Sequence, residues 1–92
     1  MRPYRRPTPE GILKRSIKDL LRTLGVFHFS ALQGLGSYPG ISDFLGIYKG
    51  RFLAIEAKAP HGKTSPAQTE FLRRIEADGG IAILAYTIED VI

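Results

Sequence analysis

A carboxylate and a lysine stand two residues apart at the end of an apolar run in GRFLAIEAKAPHGKTSPAQ, residues 50–68. In a strand, Glu56 and Lys58 lie on one face, because side chains alternate along the chain. A second acid, Asp43, directly precedes another apolar run, FLGIY. Two acids beside a lysine can bind a divalent cation and activate a water molecule, so these three residues are the first candidates for chemistry.

Lys49-Gly50 separates the two runs and predicts a tight hairpin turn with glycine at a position of positive φ. A turn centred there sets the register so that Asp43 faces Glu56. Like charges facing each other destabilise a sheet, and a bound Mg²⁺ or Mn²⁺ ion removes the repulsion. Lys58 can then orient or deprotonate the attacking water and stabilise charge on a scissile phosphate. A surface ion pair at a strand end is the alternative interpretation.

A helix precedes this hairpin. Thr8-Pro9-Glu10 predicts its start and Gly25 its end. Its apolar stripe is predicted to contain Ile12, Leu13, Ile17, Leu20, Leu21 and Leu24. Its basic residues, Lys14, Arg15, Lys18 and Arg22, are assigned to the opposite side. Glu10 lies on the apolar side, which is an unusual place for a carboxylate.

The remaining elements complete the order αβββαβ. Residues 26–31 predict a strand, followed by a glycine-rich loop without helical periodicity. Ser65-Pro66-Ala67-Gln68 is a capping-box pattern that begins a second helix, which ends at Gly79-Gly80. Residues 81–86, IAILAY, are apolar on both faces and predict a parallel strand covered by helices. The fold class predicted is α/β, a mixed sheet flanked by helices.

The composition favours a small nucleic-acid-binding protein, and a solvated, soluble surface is the alternative interpretation of its positive charge. The 92 residues form one domain, residues 8–92, behind a basic arm, residues 1–7, and the net charge is +4. Seven of the 13 basic residues lie in the first quarter of the chain, which suits phosphate binding. There is no cysteine, so a metal must be held by oxygen or histidine. No apolar run is long enough to span a membrane and none resembles a signal peptide, so we expect a cytoplasmic protein.

The ordered motifs resemble a nuclease superfamily. Gly40-Ile41-Ser42-Asp43, Glu56-Ala57-Lys58, Gly62 and Gln68 resemble the PD-(D/E)xK nucleases and, more narrowly, the virus-type replication-repair nuclease (VRR-NUC) domain, over about residues 8–92. The resemblance implies a restriction-endonuclease-like core and a magnesium-dependent phosphodiesterase. Two departures are that Ser42 stands where the family usually has proline, and that the chain stops inside the helix that normally follows the last strand.

The resemblance also assigns roles to single residues. It makes Asp43 and Glu56 metal ligands and Lys58 the catalytic lysine. It adds the Ala57 carbonyl to the metal ligands, Gln68 to the catalytic site and Glu10 to the metal's surroundings. Simpler roles stay open, because Gln68 also fits a helix cap and Glu10 also suits a helix N-terminus. The candidate DNA contacts are Arg2, Arg5, Arg6, Lys14, Lys18, His61 and Lys63.

Single-domain members of this family are viral or bacterial, act as dimers and resemble Holliday-junction resolvases. We therefore expect a homodimeric, structure-specific DNA endonuclease of DNA repair, in a bacterial cytoplasm or encoded by a phage. A small core, an apolar last strand and a short terminal helix also favour a homodimer. The alternatives are a non-catalytic DNA-binding module, a flap- or nick-directed nuclease, and a restriction enzyme, which usually needs recognition insertions.

Overall fold

A computed structural model describes residues 6–92 as a four-stranded mixed sheet flanked by two helices. The helices are α1, Pro9–Thr23, and α2, Pro66–Ala77. The strands are β1, Phe27–Ser30, β2, Phe44–Tyr48, β3, Arg51–Ala57, and β4, Ile81–Ala85. A single 3₁₀ turn, Ile88–Asp90, follows β4. The predicted α/β class and the order αβββαβ are confirmed.

The sheet has the order β1-β2-β3-β4, with β1, β2 and β3 antiparallel and β4 parallel to β3. At the β2–β3 turn, Lys49 and Gly50 both have positive φ, 49° and 78°, as a two-residue hairpin turn requires. Tyr48 pairs with Arg51 and Phe44 with Ile55, which confirms the predicted register. Strand β1 is one residue shorter at each end than predicted.

Helix α1 buries a narrow apolar stripe against the sheet. Leu13, Ile17 and Leu21 are its buried residues. They pack in one cluster with Phe44, Leu53, Ile55, Ala57 and Ala85. The wider predicted stripe is wrong at two positions, because Ile12 and Leu24 are exposed. Ile12 lies about 140° around the helix from Ile17 at about 3.6 residues per turn, and Leu24 follows the last helical residue.

Helix α2 contacts β3 and β4 and is fixed at both ends. At its start, the Ser65 side chain accepts the Gln68 N–H and the Gln68 side chain accepts the Ser65 N–H. At its end, the Arg51 guanidinium donates to the carbonyls of Gly79 and Gly80 at 2.9 and 3.1 Å. Within residues 6–92, neither helix has the length and apolar character needed to cross a membrane.

The glycine-rich loop between β1 and β2 lies against the start of α2 at Gly40. Gly40 has φ 75°, and a Cβ atom at this position would overlap the backbone of Ala67 and Gln68. The loop can therefore reach Asp43 along this path only with glycine at position 40.

We predict that Gly40→Ala lowers the free energy of unfolding by ~2–4 kcal/mol, because it adds a backbone overlap to the strain of a left-handed conformation. Gly25→Ala is the matched control, since Gly25 has φ 70° and nothing within 4 Å of its added Cβ. It should lose only ~1 kcal/mol. Urea unfolding measures both, and equal losses would contradict the assigned close contact.

Candidate active site

Asp43 lies just before β2, next to the Phe44–Ile55 pair, so its neighbour across the hairpin is Glu56. Its side chain is buried. Oδ2 accepts a hydrogen bond from the Ala57 backbone N–H at 2.8 Å. Oδ1 accepts one from Gln33 Nε2 at 3.2 Å. Asp43 is therefore held in one orientation by donors from two sides.

Glu56 is the more deeply buried acid, with 2% of its surface exposed. Its Oε1 atom has no hydrogen-bond partner among the described residues. Burial, and then the neighbouring Asp43 carboxylate, raise the pKa of Glu56 to about 8, against a smaller opposing effect of Lys58 and Lys14. A carboxyl group of this kind favours either a proton or a bound cation.

Lys58 follows β3 and lies beside Glu56. Its backbone N–H donates to the Ala85 carbonyl at 2.9 Å, so β4 fixes the position of its main chain. Its side chain is 15% exposed, and Nζ lies 4.0 Å from Glu56 Oε2. The structure thus brings together Asp43, Glu56 and Lys58, as the sequence predicts.

Lys14 is placed differently from the prediction. It was assigned to the side of α1 away from the apolar stripe, yet its Nζ lies 3.2 Å from Asp43 Oδ1 and 3.4 Å from Glu10 Oε2. Partial burial lowers the pKa of Lys14, but the negative charges and hydrogen bonds of Asp43 and Glu10 together raise it by more. The pKa of Lys14 is therefore above its ordinary value. Lys14 lies only about 60° around the helix from the buried Ile17, at the border of the apolar stripe, so its long side chain can reach inward to Asp43.

Of two glutamines near the site's elements, only Gln33 is seen to contact an acid. Gln33 was not predicted, because it lies in a loop without periodicity, and its Nε2 donates to both Asp43 Oδ1 and the Ile41 carbonyl. Gln68 is engaged in the helix cap, as the simpler interpretation expected. A catalytic role for Gln68 stays a prediction. Ser42, which directly precedes Asp43, is fully buried, and its Oγ has no partner among residues 6–92.

The other candidate DNA contacts are on the surface. Arg6, Lys18, His61 and Lys63 are exposed. The loop that carries His61 and Lys63 is held by the Tyr86 hydroxyl, which donates to the Gly62 carbonyl at 3.0 Å. Arg2 and Arg5 lie outside the described residues. These positions permit phosphate contacts, and DNA binding by them stays a prediction.

The metal-binding potential of the site rests on few groups. Within residues 6–92, no three His, Cys, Asp or Glu side chains come together as a group that could hold a metal. The donors present are the Asp43 and Glu56 carboxylates and the Ala57 carbonyl. That carbonyl points toward Asp43, because N–H and C=O of one strand residue face the same neighbour and the Ala57 N–H bonds Asp43. Hard oxygen donors and the unpartnered Glu56 Oε1 fit Mg²⁺ or Mn²⁺. Glu10 contacts Lys14, and its place in the metal's surroundings stays a prediction.

No protein-family model, curated protein or solved structure matches the chain.

We predict that the metal-free protein becomes less stable as pH rises from about 5 to 8.5, because folding raises the pKa of Glu56 from 4.5 to about 8. The folded state retains the proton that the unfolded state loses above about pH 4.5. This stabilising contribution is therefore lost as pH rises through the folded pKa. The shifted pKa of Glu56 changes the free energy of unfolding by a few kcal/mol across this range, since one pKa unit equals about 1.4 kcal/mol.

Denaturant unfolding across this pH range, with a chelator present, measures the effect. Glu56→Gln is the control, because it removes the titrating group and should flatten the decline. Parallel pH profiles for the wild type and Glu56→Gln would contradict the raised pKa.

Proposed function

We propose that this protein is a Mg²⁺- or Mn²⁺-dependent DNA endonuclease of the PD-(D/E)xK type that cuts branched DNA. The observation that carries the proposal is the buried Asp43–Glu56 pair with the Lys58 ammonium 4.0 Å from Glu56. Burying two acids side by side lowers the stability of a small protein, so such a pair indicates a function. Carboxyl groups with perturbed pKa values are also enriched at active sites.

The proposed roles follow from the positions of the groups. Asp43, Glu56 and the Ala57 carbonyl would hold the cation, which when bound lowers the pKa of water and neutralises phosphate charge. The Lys58 ammonium would orient the attacking water and stabilise the negative charge that develops on the phosphate. Gln33 would keep Asp43 oriented through its 3.2 Å hydrogen bond.

DNA is the proposed substrate because of charge. The net charge is +4, and Arg6, Lys18, His61 and Lys63 are exposed around the fold. Lys and Arg gain affinity by releasing counterions from the phosphate backbone. The preference for branched DNA, such as four-way junctions, comes from the family resemblance, and so does a role in DNA repair in a bacterial or phage-infected cytoplasm.

A second candidate function is a non-catalytic DNA-binding module on the same fold. The Lys14–Asp43 ion pair, at 3.2 Å, favours it, because an internal ammonium can neutralise the acid pair without a metal. The two candidates differ in one property, which is metal-dependent turnover.

The decisive experiment incubates the protein with end-labelled four-way junctions, flaps, forks and linear duplexes, with Mg²⁺ or with a chelator. We expect cleavage only with Mg²⁺ and fastest on four-way junctions. Lys58→Met should lose at least ~100-fold in the single-turnover rate, the usual contribution of an acid–base group, and retain DNA affinity. Lys49→Met is the matched control, because Lys49 lies at the opposite end of the β2–β3 hairpin, and it should retain the rate.

DNA binding without cleavage under either metal would replace the nuclease proposal with the binding module. Full activity of Lys58→Met would falsify the assigned role of Lys58. Faster cleavage of flaps or nicked duplexes would exclude junctions as the preferred substrate.

We also propose that the chain acts as a symmetric homodimer. Phe27, Ile47 and Phe52 are neighbours in register across β1, β2 and β3 and therefore share one sheet face. All three are exposed, by 65%, 53% and 45%. Phe27 belongs to β1, which is an edge strand of the sheet. This strand has aromatic side chains and lacks the charged residues that usually protect a sheet edge. A second copy would cover this row.

We predict a dimer mass by light scattering at micromolar concentration, because the row buries apolar surface on association. Phe27→Ser should shift the equilibrium toward monomer. Leu32→Ser, at an exposed loop residue outside the row, should leave the mass unchanged. Monomer mass together with undiminished junction cleavage would exclude the dimer.

A further inference from the structure

The Lys14 ammonium lies between two carboxylates at the edge of the candidate site. Nζ is 3.2 Å from Asp43 Oδ1 and 3.4 Å from Glu10 Oε2. Glu10 and Lys14 are one helical turn apart on α1, whereas Asp43 belongs to the hairpin. Lys14 therefore links the helix to the acid pair.

This ammonium contacts the carboxylate that a metal ion would bind. A divalent cation on the Asp43 carboxylate would strongly repel the ammonium group that lies 3.2 Å from Oδ1 of that carboxylate, because the site is partly buried. Both cations also neutralise the same excess negative charge, so either one reduces the need for the other. Occupancy by the metal ion and by Lys14 should therefore be mutually unfavourable.

We propose that Lys14 is the resident counter-ion of the metal-free site, that a divalent cation must displace it from Asp43, and that Glu10 retains the displaced ammonium. This inference rests on the proposed metal site. It assigns Glu10 a positioning role through Lys14, in place of direct metal binding.

The displacement requires little structural change. The side chains of Lys14 and Glu10 are 36% and 39% exposed, so both have room to adopt other rotamers at the protein surface. The Asp43 side chain is 7% exposed and keeps its bond from the Ala57 N–H. Lys14 can thus move away from Asp43 while α1 and the hairpin stay in place.

The first test is a calorimetric titration with Mn²⁺ alone, without DNA, at pH 7.5. Lys14→Met and Lys14→Gln should bind Mn²⁺ roughly tenfold more tightly than the wild type, because no charge-assisted hydrogen bond has to be broken. Arg15→Met is the matched control, since it removes one positive charge from the exposed side of the same helix. It should change the affinity less than about twofold, as expected for an exposed charge.

Equal or weaker Mn²⁺ binding by both Lys14 variants would overturn the inference while leaving the metal site intact. An equal gain in Arg15→Met would also overturn it, because the effect would then be general electrostatics. Absence of Mn²⁺ binding in the wild type and in every variant would instead contradict the proposed function.

The second test uses the wild-type protein and so does not depend on a variant folding. The ¹⁵Nζ resonance of Lys14 is followed by NMR during a Mg²⁺ titration. We expect it to shift and its proton exchange to accelerate as Mg²⁺ binds, because the pair with Asp43 is lost. An unchanged Lys14 signal with Mg²⁺ bound would overturn the displacement.

A double variant separates the two roles of Glu10. In the Lys14→Met background, Glu10→Gln should leave Mn²⁺ affinity unchanged, because Glu10 then has no ammonium to retain. A loss of affinity in that background would make Glu10 a metal ligand, and would overturn the positioning role.

Discussion

Two carboxylates, Asp43 and Glu56, are buried side by side across the β2–β3 hairpin, and the elements around them must supply donors and cations to both. Burial of charge next to like charge is unfavourable unless donors and cations surround it. The structure supplies a backbone N–H from Ala57 and ammonium groups from Lys14 and Lys58. Even so, Glu56 Oε1 has no partner among the described residues, and its pKa rises to about 8. The pair thus favours a proton or a neighbouring ammonium group, and the proposed chemistry adds a metal ion as a third way to neutralise it.

The helices and strands around the acid pair hold in place the groups that contact it. The β2–β3 hairpin places the two acids together, and β4 holds the main chain of Lys58. Helix α1 packs its narrow stripe against the sheet and so brings Lys14 to Asp43. The loop that carries Gln33 lies against α2 at Gly40. A core with few large side chains is sufficient because regular strands and helices, rather than mobile loops, position the charged groups.

The sequence predicts the acids well and the lysine on α1 poorly, for physical reasons. A two-residue turn at Lys49-Gly50 and the strict alternation of a strand leave one register, so Asp43 must neighbour Glu56. Helix faces are less sharply defined, because a long lysine stem at the border of the stripe can reach inward or outward. The Lys14 side chain reaches inward because its ammonium group pairs with the Asp43 carboxylate. Gln33 and Gly40 depend on the path of a loop that has no periodicity, and only the folded chain reveals their contacts.

We propose that the acid pair binds a divalent cation in place of Lys14. A crystal structure of the protein with Mn²⁺, with anomalous diffraction to locate the metal, tests it most directly. We expect an anomalous peak coordinated by Asp43 and Glu56, with Lys14 Nζ turned away from Asp43 toward Glu10. Lys14 still paired with Asp43, and no Mn²⁺ at the acid pair at saturating metal, would contradict it.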